Sequence, residues 1–244
     1  MSILDKLRAA QTSEPIHRVA KPSGVHPASP RAAVSTRASG HANSEMRLSN
    51  GLKEFLWHLD GIGKGQLLDL GPAWQTTITY FIERGFKVYT ENLLTSWSVF
   101  LDAENKRVRE LADKGDSSEM TPSARAERFL QNTLCYPENT FDAILAWDAM
   151  DYLEGELASR VVERMSSLVR DGGVVLAIFH ARKPEGFRRY RVLDGQNLEL
   201  VPDTYPLPVQ HIYQNREISN LFSRFRSSKS FVGRDQLREG LYVK

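Results

Sequence analysis

The sequence predicts an α/β domain in which helices cover both faces of a mostly parallel β-sheet. The first indication is a strand, turn, helix and strand in succession over residues 66–91, which is the pattern of a parallel crossover unit. The second is a pair of largely apolar runs, at residues 141–147 and 174–180, which are typical of parallel strands buried on both faces. The third is a helical pattern over residues 153–170, between those two runs. Together they predict a three-layer sandwich.

Length, charge and cysteine count exclude several classes of protein. With 244 residues and a formal net charge of +2, the chain has room for one sizeable domain and an appendage. It lacks the strong charge of proteins that coat nucleic acid or membranes. Its single cysteine, Cys135, excludes an intrachain disulfide framework and a multi-cysteine zinc site, so we expect a cytoplasmic protein without a metal. No apolar run approaches the roughly 20 residues that span a bilayer.

The N-terminal residues 1–45 differ in composition from the domain predicted over residues 46–244. No acidic residue occurs between Pro15 and Ser44, where Pro, Ser, Ala, Arg and His dominate. Such a segment buries too little surface to offset chain entropy, so we predict a disordered tail. Its Arg- and Ser-rich composition also resembles a transit peptide, although a flexible tail is the favoured interpretation.

The first half of the domain predicts alternating helices and strands. A helix is expected from Ser44 to about Asp60, with Leu48, Leu52, Phe55, Leu56 and Leu59 facing the core. After the first strand, a helix with Ile78, Phe81 and Ile82 on one face leads to a second strand at residues 86–90. A longer helix follows, capped near Thr95 or Ser96 and ending near Gly115.

Residues 121–133 are harder to assign from their pattern. Thr121 and Pro122 are suited to the cap and first turn of a short helix. We expect a third strand at residues 129–133, and a helix that continues through them is the alternative.

The C-terminal third predicts hairpins. Residues 189–193 and 196–201 flank Asp194 and Gly195, which is a favoured two-residue hairpin turn. A helix near residues 216–225 leads to a last strand pair at residues 227–232 and 237–243.

Three stretches share their order and spacing with a known family. They are Leu67-Leu68-Asp69-Leu70-Gly71, followed by Glu91; LCYPENTFDAI at residues 134–144; and LVRDGGVVL at residues 168–176. In these motifs the chain resembles the class I S-adenosylmethionine-dependent methyltransferases, from about Leu48 to the C-terminus. The resemblance implies a Rossmann-like sheet with an antiparallel last strand. It also implies a variable substrate lid at residues 181–215.

The resemblance implies methyl transfer from S-adenosylmethionine to an unidentified acceptor, for which a small molecule is one option. Gly71 would let the backbone approach the methionine end, and Glu91 would accept hydrogen bonds from the ribose hydroxyls. The family's first loop carries glycine where this chain has Ala73 and Gln75. The cofactor-binding residues predicted on this basis are Asp69, Gly71, Ala73, Glu91, Asn132 and Trp147.

Two other functions stay open at this point. The altered first loop favours a non-catalytic binding protein on the same fold. A nicotinamide-dependent oxidoreductase is disfavoured because the G-x-G-x-x-G pattern is absent. Asp148, Asp151, Tyr152 and His180 follow or end predicted strands, where a side chain that deprotonates a substrate is expected. The basic residues between 182 and 191 are interpreted as a solvated surface, with an anionic substrate or RNA as the alternative.

Overall fold

The structure is a computed structural model that describes residues 44–113 and 121–244. The predicted tail lies almost wholly outside the described residues, as does the helix end predicted at Gly115. The first eight elements are β1 (Glu45–Leu48), α1 (Asn50–Leu59), β2 (Gly65–Asp69), α2 (Gln75–Ile82), β3 (Phe86–Thr90), α3 (Leu93–Ala112), α4 (Pro122–Leu130) and β4 (Phe141–Trp147). The others are α5 (Ala149–Tyr152), α6 (Gly155–Leu168), β5 (Val169–His180), β6 (Arg188–Val192), β7 (Asn197–Pro202), α7 (Asn215–Leu221), β8 (Ser227–Val232) and β9 (Leu237–Val243).

The main sheet has six strands in the order β3-β2-β4-β5-β9-β8. The first four are parallel, and β9 pairs antiparallel with both β5 and β8. This arrangement confirms the predicted sandwich with a mostly parallel sheet and an antiparallel last strand. On the central strands Ile144 pairs with Val175, and both side chains are fully buried.

The sheet separates two apolar clusters because successive side chains of a strand point to opposite faces. Ile144 packs in the cluster that α3, α4 and α6 cover, whereas its neighbours Ala143 and Leu145 pack in the cluster that α1 and α2 cover. Helices on both faces explain why the central strands are largely apolar.

A second, three-stranded sheet in the order β1-β7-β6 was not predicted. Its β6–β7 hairpin forms around the predicted Asp194-Gly195 turn. The region predicted as a variable lid therefore contains regular strands, and their inward side chains belong to the core: Tyr190, Val192, Leu198 and Leu200.

The predicted helix start at Ser44 is wrong because residues 45–48 pair with β7. The helix begins at Asn50, where the Ser49 hydroxyl caps it by accepting a hydrogen bond from the Leu52 amide at 2.9 Å. Leu48 is consequently 58% exposed and lies outside the core.

The predicted third strand at residues 129–133 is also wrong. Helix α4 continues to Leu130, and its cap and first turn are Thr121 and Pro122 as expected. Phe129 is buried on the helix, edge-on to Trp97 at a centroid distance of 5.1 Å. This tertiary contact outweighs the strand preference of the local sequence.

Two other helices differ in detail from the helices that the sequence predicts. Helix α3 starts at Leu93, because Asn92 caps it by accepting from the Thr95 amide. Helix α2 buries Thr77, Tyr80 and Phe81, whereas Ile82 is 56% exposed.

A buried ion pair fastens β1 and α1 to the main sheet. The Arg47 guanidinium contacts Glu239 on β9 and donates to Asp235 at 2.6 Å. The other Glu239 oxygen accepts from the Gly51 amide at 2.6 Å, in the first turn of α1. Burial alone would lower the pKa of Arg47, but the two carboxylates raise it. A side chain at Gly51 would collide with Glu239, so glycine is required there.

We expect Glu239→Gln to destabilise the protein strongly, because it leaves the buried Arg47 with only a partly exposed partner. Removing one partner of a buried ion pair costs about 3–5 kcal/mol, and the remaining Asp235 places the loss near the lower end. Urea unfolding measures this free energy. The exposed Arg224–Glu163 pair supplies the control, since Glu163→Gln should cost less than about 1 kcal/mol. Equal losses in the two variants would contradict a buried anchor.

Candidate functional site

The carboxyl ends of the four parallel strands meet at one edge of the main sheet. β2 ends at Asp69, β4 ends at Trp147, β5 ends at His180, and Glu91 follows directly after β3. Ligands of open α/β sheets bind beyond this edge. The fold therefore brings these predicted site residues to the edge of the sheet where a ligand is expected.

Asp69 is buried, and one of its oxygens is already shared by two protein donors. Its Oδ1 accepts from the Gly71 amide at 2.8 Å and from the indole Nε1 of Trp147 at 2.6 Å. Burial raises the pKa of Asp69 to about 6, although both hydrogen bonds act in the opposite direction. Asp69 therefore joins the loop after β2 to the end of β4.

Trp147 lies against the inner side of this loop. A Cβ atom at Gly71 would lie 2.7 Å from the Trp147 Nε1, so the glycine is needed to admit the indole. Tyr190 of β6 stacks on the indole. The two rings are parallel within 4°, and their centroids are 5.7 Å apart. Trp147 has a φ of +51°, which is costly for a bulky residue and is tolerated only where surrounding contacts hold it.

Glu91 is half-buried and supports a neighbouring turn. Its Oε1 accepts from the Leu134 amide at 2.8 Å. Burial and the Glu91 carboxylate raise the pKa of the nearby Tyr136 phenol to about 12. Leu134 has a φ of +58°, and Arg164 donates to its carbonyl at 3.0 Å. This predicted ribose-binding carboxylate is thus engaged in protein contacts.

The remaining predicted cofactor residues lie apart from this group. Ala73 and Asn132 are exposed. Gln75, which stands where the family's loop carries glycine, donates from its side-chain amide to Thr79 on its own helix at 2.9 Å. Of the six residues, the structure brings Asp69, Gly71 and Trp147 into mutual contact.

Little space is left beside the loop after β2. The cavity between Gly71, Pro72, Trp147, Arg189 and Tyr190 has a volume of about 10 Å³. That volume is at the limit for one water molecule, whereas small-molecule and cofactor sites enclose about 300–1,000 Å³. This cavity is too small for S-adenosylmethionine while Trp147 and Tyr190 hold these positions.

A buried polar cluster lies next to this small cavity between Gly71, Trp147 and Tyr190, the closed slot. His180 places its Nδ1 2.9 Å from an Asp151 oxygen and its Nε2 3.8 Å from an Asp148 oxygen. The Tyr190 hydroxyl donates to that same Asp148 oxygen at 3.3 Å, and the Tyr152 ring lies edge-on to His180. The four residues predicted as candidates for substrate deprotonation are therefore adjacent.

The environment shifts the pKa values of all three acid–base groups upward. Burial raises the pKa of Asp148 to about 7 and also raises that of Asp151. Burial alone would lower the pKa of His180, but the hydrogen bond with Asp151 and the charge of Asp148 outweigh it. A concentration of perturbed acid–base groups is typical of functional sites.

A larger cavity of about 260 Å³ opens above His180. Its buried lining consists of His180, Tyr190, Leu200 and Leu237, and its rim carries Glu45, Arg182, Lys183, Arg188 and Asp235. Tyr190 and Arg188 also border the small cavity, so they form the wall between the two spaces. No sequence pattern marks this role, because Tyr190 is one apolar position of a predicted hairpin strand.

The predicted basic cluster is largely neutralised. Arg188 pairs with Glu45, Arg189 donates to Asp203 at 3.1 Å, and Arg191 donates to Glu199 at 2.6 Å. These pairs favour a structural role for the arginines over the binding of an RNA backbone.

Comparison with other proteins gives matches in structure alone. No model of a known protein family matches the sequence, and no curated protein matches it. The 1,6-didemethyltoxoflavin-N1-methyltransferase of Burkholderia thailandensis is 14% identical over 80% of this chain and 76% of that chain, with a TM-score of 0.41. An S-adenosylmethionine-dependent methyltransferase of Mesorhizobium loti is 15% identical over 78% and 96%, with a TM-score of 0.41. The cyclase SpnF is 16% identical over 70% of this chain and 54% of its own, with a TM-score of 0.36.

The arrangement of the strands agrees with the fold that the three sequence motifs imply. Strand β9 lies antiparallel between β5 and β8, at the end of an otherwise parallel sheet, as the resemblance implies. The chain has a Rossmann-like fold whose last strands are antiparallel. Within the part of the chain that the structure describes, no helix has the length and apolar character to cross a membrane. The same residues contain no group of three or more side chains placed to hold a metal ion.

The raised pKa values make stability depend on pH. An unfolded aspartate loses its proton near pH 3.9, whereas folded Asp148 keeps it until about pH 7. The contribution of Asp148 to stability is therefore full below about pH 4 and is lost as the pH rises to about 7. The raised pKa of His180 acts in the same direction.

We predict that Asp148→Asn reduces this fall, because it removes the titrating group and keeps an acceptor for Tyr190. Urea unfolding at about pH 4 and about pH 8 should show a smaller difference in the variant, by a few kcal/mol at most. Glu163→Asn, at an exposed site, serves as the control. The same pH dependence in Asp148→Asn and the wild type would show that Asp148 is ionised throughout.

Proposed function

We propose that this chain is a small-molecule-binding protein on a methyltransferase fold, and that its ligand occupies the cavity above His180. The observation that supports this most directly is the position of Trp147. Its indole fills the inner side of the Gly71 loop and is hydrogen-bonded to Asp69. The chain's own side chain thus takes the space that the methionine end of a cofactor would need.

The contacts of Glu91 and Asp69 support the same proposal. Each carboxylate accepts hydrogen bonds from protein groups, and Trp147 and Leu134 hold left-handed backbone conformations that keep those groups in place. Releasing them for a ligand means breaking charge-assisted hydrogen bonds, which are worth about 1.5–3 kcal/mol each. Cofactor binding would have to supply that free energy in addition to moving the indole.

The cavity above His180 offers what the closed slot does not. Its volume of about 260 Å³ approaches that of small-molecule sites. It combines an apolar floor, at Leu200 and Leu237, with the few convergent polar groups that orient a ligand. The exposed, free Cys135 is suited to a reducing compartment, so the proposal includes a cytoplasmic location.

Methyl transfer from S-adenosylmethionine is the second candidate, and the polar cluster is the observation that favours it. Asp148, Asp151 and His180 lie on the side of the sheet edge where an acceptor would meet a methyl donor, and His180 would take the proton of that acceptor. In that case Asp69, Gly71 and Glu91 would hold the cofactor, which supplies the methyl group when bound. Trp147 and Tyr190 would then have to separate.

Calorimetry of the purified protein distinguishes the two candidates. We expect no heat from S-adenosylmethionine, S-adenosylhomocysteine or NAD at high micromolar concentration, because Trp147 closes the slot. Binding of the two sulfur compounds would overturn the proposal and support methyl transfer. Glu91→Ala would then be the matched test, since loss of the ribose contact should weaken S-adenosylhomocysteine by about one to two orders of magnitude.

A further inference from the structure

Asp151 fixes the orientation of His180 from two directions. A single carboxylate oxygen, Oδ2, accepts from the His180 backbone amide at 2.7 Å and lies 2.9 Å from the ring Nδ1. The Asp151 side chain has no exposed surface. Because an ionised carboxylate only accepts hydrogen bonds, the Nδ1 carries a proton and the lone pair of the neutral ring lies on Nε2.

The Nε2 atom is the reactive end of this pair. Its nearest carboxylate oxygen, on Asp148, is 3.8 Å away, which is beyond hydrogen-bonding distance. Among the described residues it has no closer polar partner, and His180 lines the cavity of about 260 Å³. A carboxylate that orients a cavity-lining histidine, and leaves its second ring nitrogen without a hydrogen-bond partner, is the arrangement of a proton acceptor.

The rest of the cavity limits the chemistry of the ligand. Two of the buried lining residues are polar, His180 and Tyr190, and the apolar Leu200 and Leu237 lie beside them. The rim carries the cations Arg182, Lys183 and Arg188, and positive charge there favours a ligand whose oxygen becomes an anion. One oxygen on an apolar body fits the floor.

We infer that the cavity binds a small molecule with one acidic hydroxyl, a phenol or an enol, whose proton passes to Nε2 of His180. This identifies the ligand class of the proposed function and rests on it. The O–H bond breaks and its electron pair stays on the ligand oxygen, while an N–H bond forms on the imidazole. The resulting imidazolium is paired with the Asp151 carboxylate on one side and with the ligand oxyanion on the other.

The charged and titratable groups around His180 are compatible with this transfer. Asp151 and Asp148 both favour the imidazolium, whereas Arg188 disfavours it. Burial raises the pKa of Asp148 to about 7, so near neutral pH it is only partly ionised, which reduces both its attraction for the imidazolium and its repulsion toward an oxyanion. The other groups that face the ring or its backbone are Tyr152, Tyr190 and Arg238.

Absorbance of 4-nitrophenol tests the inference, because its phenolate absorbs visible light and its phenol does not. At a pH one unit below its solution pKa, titration of the wild-type protein should raise the phenolate absorbance several-fold, because the protonated His180 stabilises the bound phenolate. His180→Gln should abolish the rise, and Asp151→Asn should weaken apparent binding by about tenfold, as expected for loss of a charge-assisted contact. His211→Gln, at an exposed histidine paired with Glu217, should behave as the wild type. No rise with wild-type protein, or the same rise in His180→Gln, would overturn the inference.

Chemical modification keeps the test independent of how the variants fold. Diethyl pyrocarbonate should acylate His180 in the wild-type protein, and 4-nitrophenol should slow this several-fold while modification of His211 stays unchanged. Mass spectrometry of the digested protein locates the product. Unreactive His180, or reactivity that 4-nitrophenol does not affect, would contradict the inference. Neither assay contains a sulfur nucleoside, so failure here is distinct from failure of the calorimetric test.

Discussion

The site is organised around the hydrogen bond between the Trp147 indole and the Asp69 carboxylate. This bond joins the ends of two adjacent central strands and holds the indole against Gly71. The stack of Trp147 on Tyr190 then ties the β6–β7 hairpin to the same edge. Together these contacts close the small cavity beside Gly71 and separate it from the cavity above His180. A buried hydrogen bond to a carboxylate is costly to break when no other donor replaces it.

The central sheet was predictable because local pattern and tertiary structure agree there. Apolar runs such as that around Ile144 are buried on both faces, and Asp194-Gly195 specifies its turn through backbone geometry. The failures have non-local causes. Residues 45–48 form a strand because β7 lies beside them, and Phe129 stays helical because it packs against Trp97. Neither partner is near in sequence.

The position of the candidate site was predictable from the sequence, whereas the closure of the slot was not. Asp148, Asp151 and His180 meet because the carboxyl ends of parallel strands share an edge, which the strand pattern already implied. The contacts that close the slot depend on side chains from other parts of the chain. Tyr190 comes from a hairpin far along the sequence, and no motif marks it. A fold also does not determine a function, which depends on such details of the site.

The indole N–H resonance of Trp147 tests the central claim most directly. Trp147→Phe assigns this resonance among the signals of the four tryptophans. We expect slow hydrogen exchange and a chemical shift that S-adenosylhomocysteine at high micromolar concentration leaves unchanged, because the N–H is buried against Asp69. Fast exchange in the free protein, or a shift on addition of S-adenosylhomocysteine, would show that the slot opens and would contradict this account.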